Sequence, residues 1–171
     1  MSLSDIPLLT TARLRLRAPA MADFPAYAAF MASPRSAGLG GPLETKGAWA
    51  YFTHDTALWH LSGHGALMMD LRGTGELAGS ISVNSGPMFD EVELGWMVYD
   101  GHTQQGLATE AATAVRDWVF GTLGLPTLVS YVGQTNTASR RVAEKLGAVI
   151  DPHAKSPGPQ TLVYRHARAA R

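Results

Sequence analysis

Two glutamates stand two residues apart, Glu91 and Glu93, in a segment that alternates like a strand, so their carboxylates fall on one face. A carboxylate so placed is a candidate to take a proton from a nucleophile. The strand breaks at Asp100 and Gly101, and after Gln104 and Gln105 a helix opens at Gly106, Leu107, Ala108 and Thr109. The first N–H groups of a helix lack internal partners and carry the positive end of its dipole, which suits a phosphate or pyrophosphate. Gly106 and Ala108 leave the backbone open to a ligand, and Thr109 adds a hydroxyl. The same residues also describe an ordinary strand-turn-helix connection. At a second strand-to-helix junction, Asn136 precedes Ser139 by three residues. Asn136 suits a helix cap, and its amide equally suits an amide-bearing ligand in a gap between diverging strands.

Other chemistries are excluded. The chain has no cysteine, so disulfides, thiolate metal sites and a cysteine nucleophile are absent. No Gly-Lys-Ser/Thr follows the glycine turn, and Gly73, Gly75 and Gly79 have the wrong spacing for a dinucleotide fingerprint and precede a strand. No Gly-x-Ser-x-Gly elbow is present. His54, His60 and His64 cluster in sequence, but His54 and His60 are six apart and share no helix face; no metal is expected. His102 lies in the turn before the anion site, and His153 and His166 are expected at the surface. Fourteen basic side chains against 14 acidic ones give no net charge, which argues against a nucleic-acid partner. Arg13, Arg15, Arg17, Arg165, Arg168 and Arg171 are expected on solvated strand faces and a tail. No apolar run approaches a membrane span, and the first five residues lack a leader's pattern, so the expected location is the cytoplasm.

The elements that would position these groups follow from periodicity. Residues 12–18 alternate as a half-buried strand. Asp23 is expected to cap a helix carrying Phe24, Tyr27, Phe30 and Met31, with Pro25 in its first turn. Residues 33–42 read as loop, and 44–61 as a helix bearing Trp49, Phe52 and Trp59 that ends at Gly63 and Gly65. Residues 66–71 and 77–83 form a hairpin, and 91–99 a further strand. Leu107, Ala111, Val115, Trp118 and Thr122 make one stripe of a helix over 107–123. A strand at 128–132, a helix at 139–146 and two strands within 148–166 complete the order β-α-α-β-β-β-α-β-α-β-β. That is a mixed α/β (α+β) layered fold, expected as one domain over residues 1–171.

Thr11-Ala-Arg-Leu-Arg-Leu-Arg, Glu93-Leu-Gly-Trp, Gln105-Gly-Leu-Ala-Thr-Glu-Ala, Asn136-x-x-Ser139 and Glu144-Lys-Leu-Gly147 occur in that order over nearly the whole chain. Together they resemble the GNAT superfamily of acyl-CoA-dependent N-acyltransferases, and most closely its branch of ribosomal-protein N-terminal acetyltransferases. The resemblance implies a six- or seven-stranded mixed sheet flanked by about four helices, whose fourth and fifth strands splay around acetyl-CoA. It implies that the backbone of Trp96, Met97 and Val98 pairs with the pantetheine arm. Gln104, Gln105, Gly106, Leu107, Ala108 and Thr109 would hold the pyrophosphate, Asn136 would bond the pantetheine, and Ser139 would lie near the sulfur. Glu93 is then the first candidate base and Glu91 the second, with Met97 or a neighbour donating an N–H to the thioester carbonyl.

The sequence departs from the family in two places. Thr103 and Gln104 replace a Gln or Arg and a second glycine, which loosens one backbone approach. Ala143 replaces the tyrosine that many relatives use as general acid, so a tyrosine-dependent mechanism is excluded and Ser139 is left to serve the leaving thiolate. The expected reaction is direct transfer of an acetyl group to an amine, either a small molecule or a protein N-terminus, by a monomer or homodimer. The alternatives are a module that binds acyl-CoA without turnover, and an unrelated phosphate-binding α/β protein. The expected acceptor-shaping segments are loops 33–48, 84–90 and 151–160, with Trp49, Tyr51, Phe52 and Trp59 where the family builds its acceptor pocket.

Overall fold

The computed structural model describes residues 6–168, so residues 1–5 and 169–171, Arg171 among them, lie outside it. Its strands are β1 (Leu9–Thr10), β2 (Leu14–Arg17), β3 (Ala66–Leu71), β4 (Leu77–Asn84), β5 (Glu93–Val98), β6 (Val129–Gly133), β7 (Val149–Ile150) and β8 (Thr161–Arg165). They form one sheet in the order β1-β2-β3-β4-β5-β6-β8-β7. Every neighbouring pair is antiparallel except β5 and β6. The helices are α1 (Phe24–Met31), α2 (Thr45–Ser62), α3 (Leu107–Trp118) and α4 (Thr137–Lys145). The mixed α/β class is as expected, but the sheet has eight strands, because β1 is too short to show a period. The expected fourth and fifth strands are therefore β5 and β6.

Alternation along the central strands sorts the sheet into two unlike faces. Leu14, Leu16, Leu67, Met69, Ile81, Val83 and Leu94 turn to one face and pack under the stripe of α3 formed by Leu107, Ala111, Ala112 and Val115. The helix widens into a π-turn over Val119–Leu123 and stops at Gly124. On the opposite face Met68 and Met97 pack against Tyr27, Phe30 and Met31 of α1 and Phe52 of α2. That face also carries Arg17, Asp70, Ser80, Ser82, Asn84 and Glu93, so the helices α1 and α2 cover polar as well as apolar ground.

Arg17 organises the entry to α1. Its guanidinium forks Asp23 at 2.8 and 2.8 Å and Asp70 at 2.7 and 2.9 Å, and both carboxylates are buried. Asp23 also accepts the Ala20 N–H at 2.7 Å, which closes a 3₁₀ turn over Met21–Asp23. The expectation that Asp23 caps α1 with its side chain is thus corrected: the carboxylate turns back to Ala20 and Arg17. Arg13, Arg15 and Arg168 are exposed as expected, whereas Arg165 is half-buried, and several of these arginines are paired. Arg15 joins Asp70, Arg13 joins Glu110, and Arg165 joins Glu91 and Asp151.

His166, expected at the surface, is buried instead. Ser130 Oγ donates to the Leu94 carbonyl at 2.6 Å, which uses its single proton. It must then accept from His166 Nε2 at 2.9 Å, fixing the tautomer and leaving the buried Nδ1 without a partner among the described residues. Burial and the nearby Arg116 charge hold His166 down to about 4. The imidazole is neutral at ordinary pH and ties β6 to β5 and the end of β8.

Removing one member of a buried ionic cluster leaves its partners uncompensated, at about 3–5 kcal/mol. Arg17→Met should lose stability on that scale in urea unfolding, because Asp23 and Asp70 stay buried without a cation. A loss below about 1 kcal/mol would show that the two carboxylates do not depend on Arg17.

Candidate active site

The parity of β5 decides which of its backbone groups are free. The Tyr99 N–H donates to the Ala78 carbonyl at 2.9 Å, which makes Met97 with Ser80, Gly95 with Ser82 and Glu93 with Asn84 the hydrogen-bonded pairs. The intervening residues point the other way. Val92 accepts from the Val129 N–H at 3.0 Å, and Leu94 accepts from Ser130 Oγ. Only Glu93 and Val129 are in register between β5 and β6; beyond them the parallel strands part. The gap therefore faces the N–H and C=O of Trp96 and the N–H of Val98, whose carbonyl takes a bond from Arg35 Nη2 at 2.8 Å. The expectation that Met97 offers its backbone to the gap is corrected, since β4 consumes that backbone.

Side chains follow the same alternation, so Glu93, Gly95 and Met97 face α1 and α2. Between them lies a cavity of about 440 Å³ bounded also by Tyr27, Asp55, Asn84 and Tyr131. Gly95 keeps its floor open: a Cβ there would meet Ser82 Oγ at 3.2 Å and Glu93 Oε2 at 4.0 Å. Glu93 Oε2 accepts from Asn84 Nδ2 at 3.0 Å. Burial raises the Glu93 carboxyl above its ordinary range, against the pull of the Asn84 amide and the Tyr131 backbone. Asp55, inside the cavity on α2, accepts from the Tyr27 hydroxyl at 3.1 Å. Burial pushes Asp55 up to about 7, opposed by that hydroxyl and reinforced by the charge of Glu93.

Glu91 sits elsewhere. β5 begins at Glu93, so the expectation of two glutamates on one strand face is corrected. Arg165 grips both Glu91 oxygens at 2.7 and 2.9 Å, and this bond, more than any other influence, holds the carboxyl below its ordinary range. Glu91 is a structural anion, its N–H donating to Tyr131 OH at 3.2 Å.

The anion turn is built as its residue types suggest, with one addition. Gly106 takes a left-handed φ of 78° and α3 starts at Leu107, so the N–H groups of Leu107, Ala108 and Thr109 lie at the open end of the helix. Gln104 occupies a left-handed φ of 61°, a conformation that a glycine adopts more easily. Gln105 Nε2 braces the turn on the Gly101 carbonyl at 3.1 Å. Arg13, at the entry to β2, then pins it: Nη1 bonds the Gln105 carbonyl at 2.8 Å and Nε bonds Glu110 at 2.7 Å. Glu110 is pushed up by burial but drawn lower overall by Thr11 and by the Arg13 backbone and side chain.

Asn136 is the cap of α4, its Oδ1 accepting the Ser139 N–H at 3.0 Å. That bond fixes the amide's orientation and leaves Nδ2 as a donor on the far side. Ser139 sits half-buried in the first turn of the same helix. Of the aromatic residues expected at an acceptor pocket, only Tyr51 lines the cavity. Trp59 is a core residue bonded to the Ala66 carbonyl at 2.8 Å, and Phe52 and Trp49 pack on Phe24. Loops 33–48, 84–90 and 151–160 all reach the cavity, through Gly38, Phe89 and Pro157 among others. The three clustered histidines separate: His64 bonds the Val83 carbonyl, His60 is exposed, and His54 lines the cavity. Asp55, Asn84 and Arg13 were not singled out from sequence for these roles. Each acts through a partner on another element, and a single sequence carries no signal for such pairs.

Comparison with known proteins places the chain by family and fold. A family model described as an acetyltransferase (GNAT) domain matches residues 13–149. A crystal structure of an acetyltransferase from Agrobacterium tumefaciens str. C58 is 57% identical over 95% of each chain, with a TM-score of 0.92. A ribosomal L7/L12 alpha-N-protein acetyltransferase shares the fold at 17% identity and a TM-score of 0.74, over 95% of this chain and 94% of that one. So does a spermidine N-acetyltransferase from Vibrio cholerae, solved with CoA and spermine, at 16% identity and 0.71, over 91% and 94%.

Two substitutions separate the cap from the free amide at Asn136. Asn136→Asp keeps an oxygen for the Ser139 N–H but replaces the outward donor with an acceptor. It should hold stability within about 0.5 kcal/mol while weakening acetyl-CoA binding tenfold or more, whereas Asn136→Ala loses about 1 kcal/mol of cap as well. Unchanged acetyl-CoA affinity in the aspartate variant, measured by calorimetry, would remove Nδ2 from the ligand.

Proposed function

The chain belongs to the acetyltransferase (GNAT) family, and from that premise we propose that it moves an acetyl group from acetyl-CoA directly to a primary amine within a ternary complex. It is an N-acetyltransferase; the donor, the residue roles and the direct route are our reading of the site, with residues 1–171 acting as one domain. The observation that carries the reading is the position of Glu93 at the fork of β5 and β6, its carboxylate in the cavity beside the open backbone of Trp96. In that fork the pantetheine arm would extend β5 through the Trp96 N–H and C=O, with Asn136 Nδ2 across the gap. The open end of α3, from Gln104 to Thr109, would receive the pyrophosphate.

An amine reaches the site as an ammonium, which has no lone pair. Glu93, directly or through water, removes one proton, and the freed lone pair attacks the thioester carbonyl carbon. The oxygen charge that develops meets the N–H of Trp96 or Val98. The C–S bond then breaks, the nitrogen loses its second proton, and the thiolate takes one to leave as the thiol. The Ser139 hydroxyl would hydrogen-bond the departing sulfur. The balance is one ammonium and one thioester giving one amide, one thiol and one proton. By name, the two distant relatives act on a protein α-amine and on spermidine, which supports an acceptor that is either a protein N-terminus or a small amine. Ala143, fully buried where many relatives have a tyrosine, favours a second reading of a CoA-binding module with little turnover.

Thermal shift and CoA release together separate these readings. Acetyl-CoA at 100 times its dissociation constant should add about 2.7 kcal/mol, and ATP or NAD nothing comparable. Release of CoA on adding amines establishes transfer; stabilisation without release across a broad amine panel selects the module. Glu93→Gln should keep the stabilisation and lower kcat by about 10²–10⁴. A carboxyl raised by burial ionises above the ordinary value of about 4.3. The wild-type kcat should therefore fall on acidification through a limb above that value, and the glutamine variant should lose the limb. A limb that survives in Glu93→Gln would assign the base elsewhere.

A further inference from the structure

The cavity beside Glu93 offers many hydrogen-bond acceptors and few cations. Asp55 is 7% exposed; its Oδ2 takes the Tyr27 hydroxyl, and among the described residues its Oδ1 has no partner. Asn84 spends Nδ2 on Glu93, and its own Oδ1 is buried without a partner among the described residues. Asp90, also lining the cavity, is tied to Lys155 Nζ at 2.6 Å. No lysine or arginine lines the cavity among the described residues. His54 is the single basic group of the lining, set against the carboxylates of Asp55, Asp90 and Glu93. Its Nε2 is buried without a partner among the described residues, and its ring stacks at 20° on Phe89.

An ammonium carries three N–H donors and one positive charge. Asp55 Oδ1, the Glu93 carboxylate and Asn84 Oδ1 supply three acceptors and the opposing charge. A carboxylate on the carbon next to that ammonium would enter the same cavity. There it would meet two like charges with no guanidinium or lysine to hold it, a cost that acts as a rejection. A neutral amide or a plain alkyl group at that position carries no such penalty, and His54 Nε2 can serve one neutral polar atom.

Resting on the acetyl-transfer reading, we propose that the acceptor is a primary amine lacking an α-carboxylate, bound through Asp55 together with Glu93 and Asn84. A peptide N-terminus or a simple amine satisfies that description, and a free amino acid does not. Asp55 is a specificity-determining residue that touches the acceptor, whereas Glu93 handles its proton.

The test uses the full-length protein with acetyl-CoA and matched pairs of acceptors, each amino acid as its free acid and as its amide, alongside propylamine. CoA release should show kcat/KM at least tenfold higher for the amide in every pair that reacts. Asp55→Asn keeps the shape and an oxygen for the Tyr27 hydroxyl, and its ligand-free Tm confirms folding. It should raise KM for the amide tenfold or more, with kcat changed by only a few fold and acetyl-CoA stabilisation unaltered; Glu93→Gln should instead act on kcat. Independently of turnover, millimolar propylamine should stabilise the CoA-bound protein beyond a sodium chloride control, alanine should not, and Asp55→Asn should abolish the effect. Free acids used as well as their amides, an unmoved KM in Asp55→Asn, or no protection by propylamine would each overturn the proposal. Absence of stabilisation by acetyl-CoA would instead overturn the acetyl-transfer reading on which it rests.

Discussion

Everything at the site depends on a parallel strand pair that holds for a single register position and then lets go. Buried backbone groups must find partners, so an open strand edge inside a protein is a deficit unless something else completes it. Here the deficit is narrow: Trp96 presents both its N–H and its carbonyl to the gap, while the Val98 carbonyl is already answered by Arg35. The point of parting is fixed from behind. Ser130 donates to the Leu94 carbonyl and accepts a hydrogen bond from His166 Nε2, so the last contact before the gap is braced by a three-residue chain. The gap is therefore a definite feature of the fold, opened at one residue and braced there.

The two faces of the sheet divide the labour. Under α3 the strands β2 to β5 bury a layer of apolar side chains, which supplies the cohesion that lets β5 and β6 diverge without the layers separating. The face under α1 and α2 admits polar groups in a row, from the Arg17 cluster to Ser82, Asn84 and Glu93. At one end of the row every charge is matched within hydrogen-bond distance. At the other, Asp55 and Glu93 share a cavity that no lysine or arginine lines among the described residues, and burial keeps both carboxyls above their ordinary range. The same physical setting thus yields a structural cluster where it is balanced and a reactive one where it is not.

Much of this was legible in the residues alone. The stripe of α3, the hairpin of β3 and β4, and the glycine turn before Leu107 each follow from periods and residue types that one segment contains. The family motifs added the placement of the cleft. What escaped depends on partners distant in sequence. Glu91 continues the alternation of Glu93, but Arg165 from the far end of the chain draws it out of the strand. His166 looked superficial because a terminal histidine has no local reason to be buried; β6 supplies the reason. Asp23 has the right type and position to cap α1, yet an arginine six residues earlier outbids the helix for its carboxylate. Asp55 is one acid in a helix without periodicity to mark it, and only the fold sets it opposite Glu93. Met97 was misjudged for a subtler reason: which backbone groups of a strand are free depends on its neighbour's register, and that is not written in the strand.

The alternation of β5 has a consequence for how this chain can change over evolutionary time. One strand delivers a carboxylate to the cavity on one side and backbone groups to the gap at right angles, and a single repeat of two residues governs both. Inserting or deleting one residue between Glu93 and Trp96 would throw the carboxylate and the edge out of phase: with Trp96 held at the gap, Glu93 would turn into the apolar layer under α3. Length variation in this stretch is thus confined to even steps. The loops that close the cavity, over residues 33–48, 84–90 and 151–160, are under no such arithmetic, so new acceptors can be explored there while the reacting strand stays in phase.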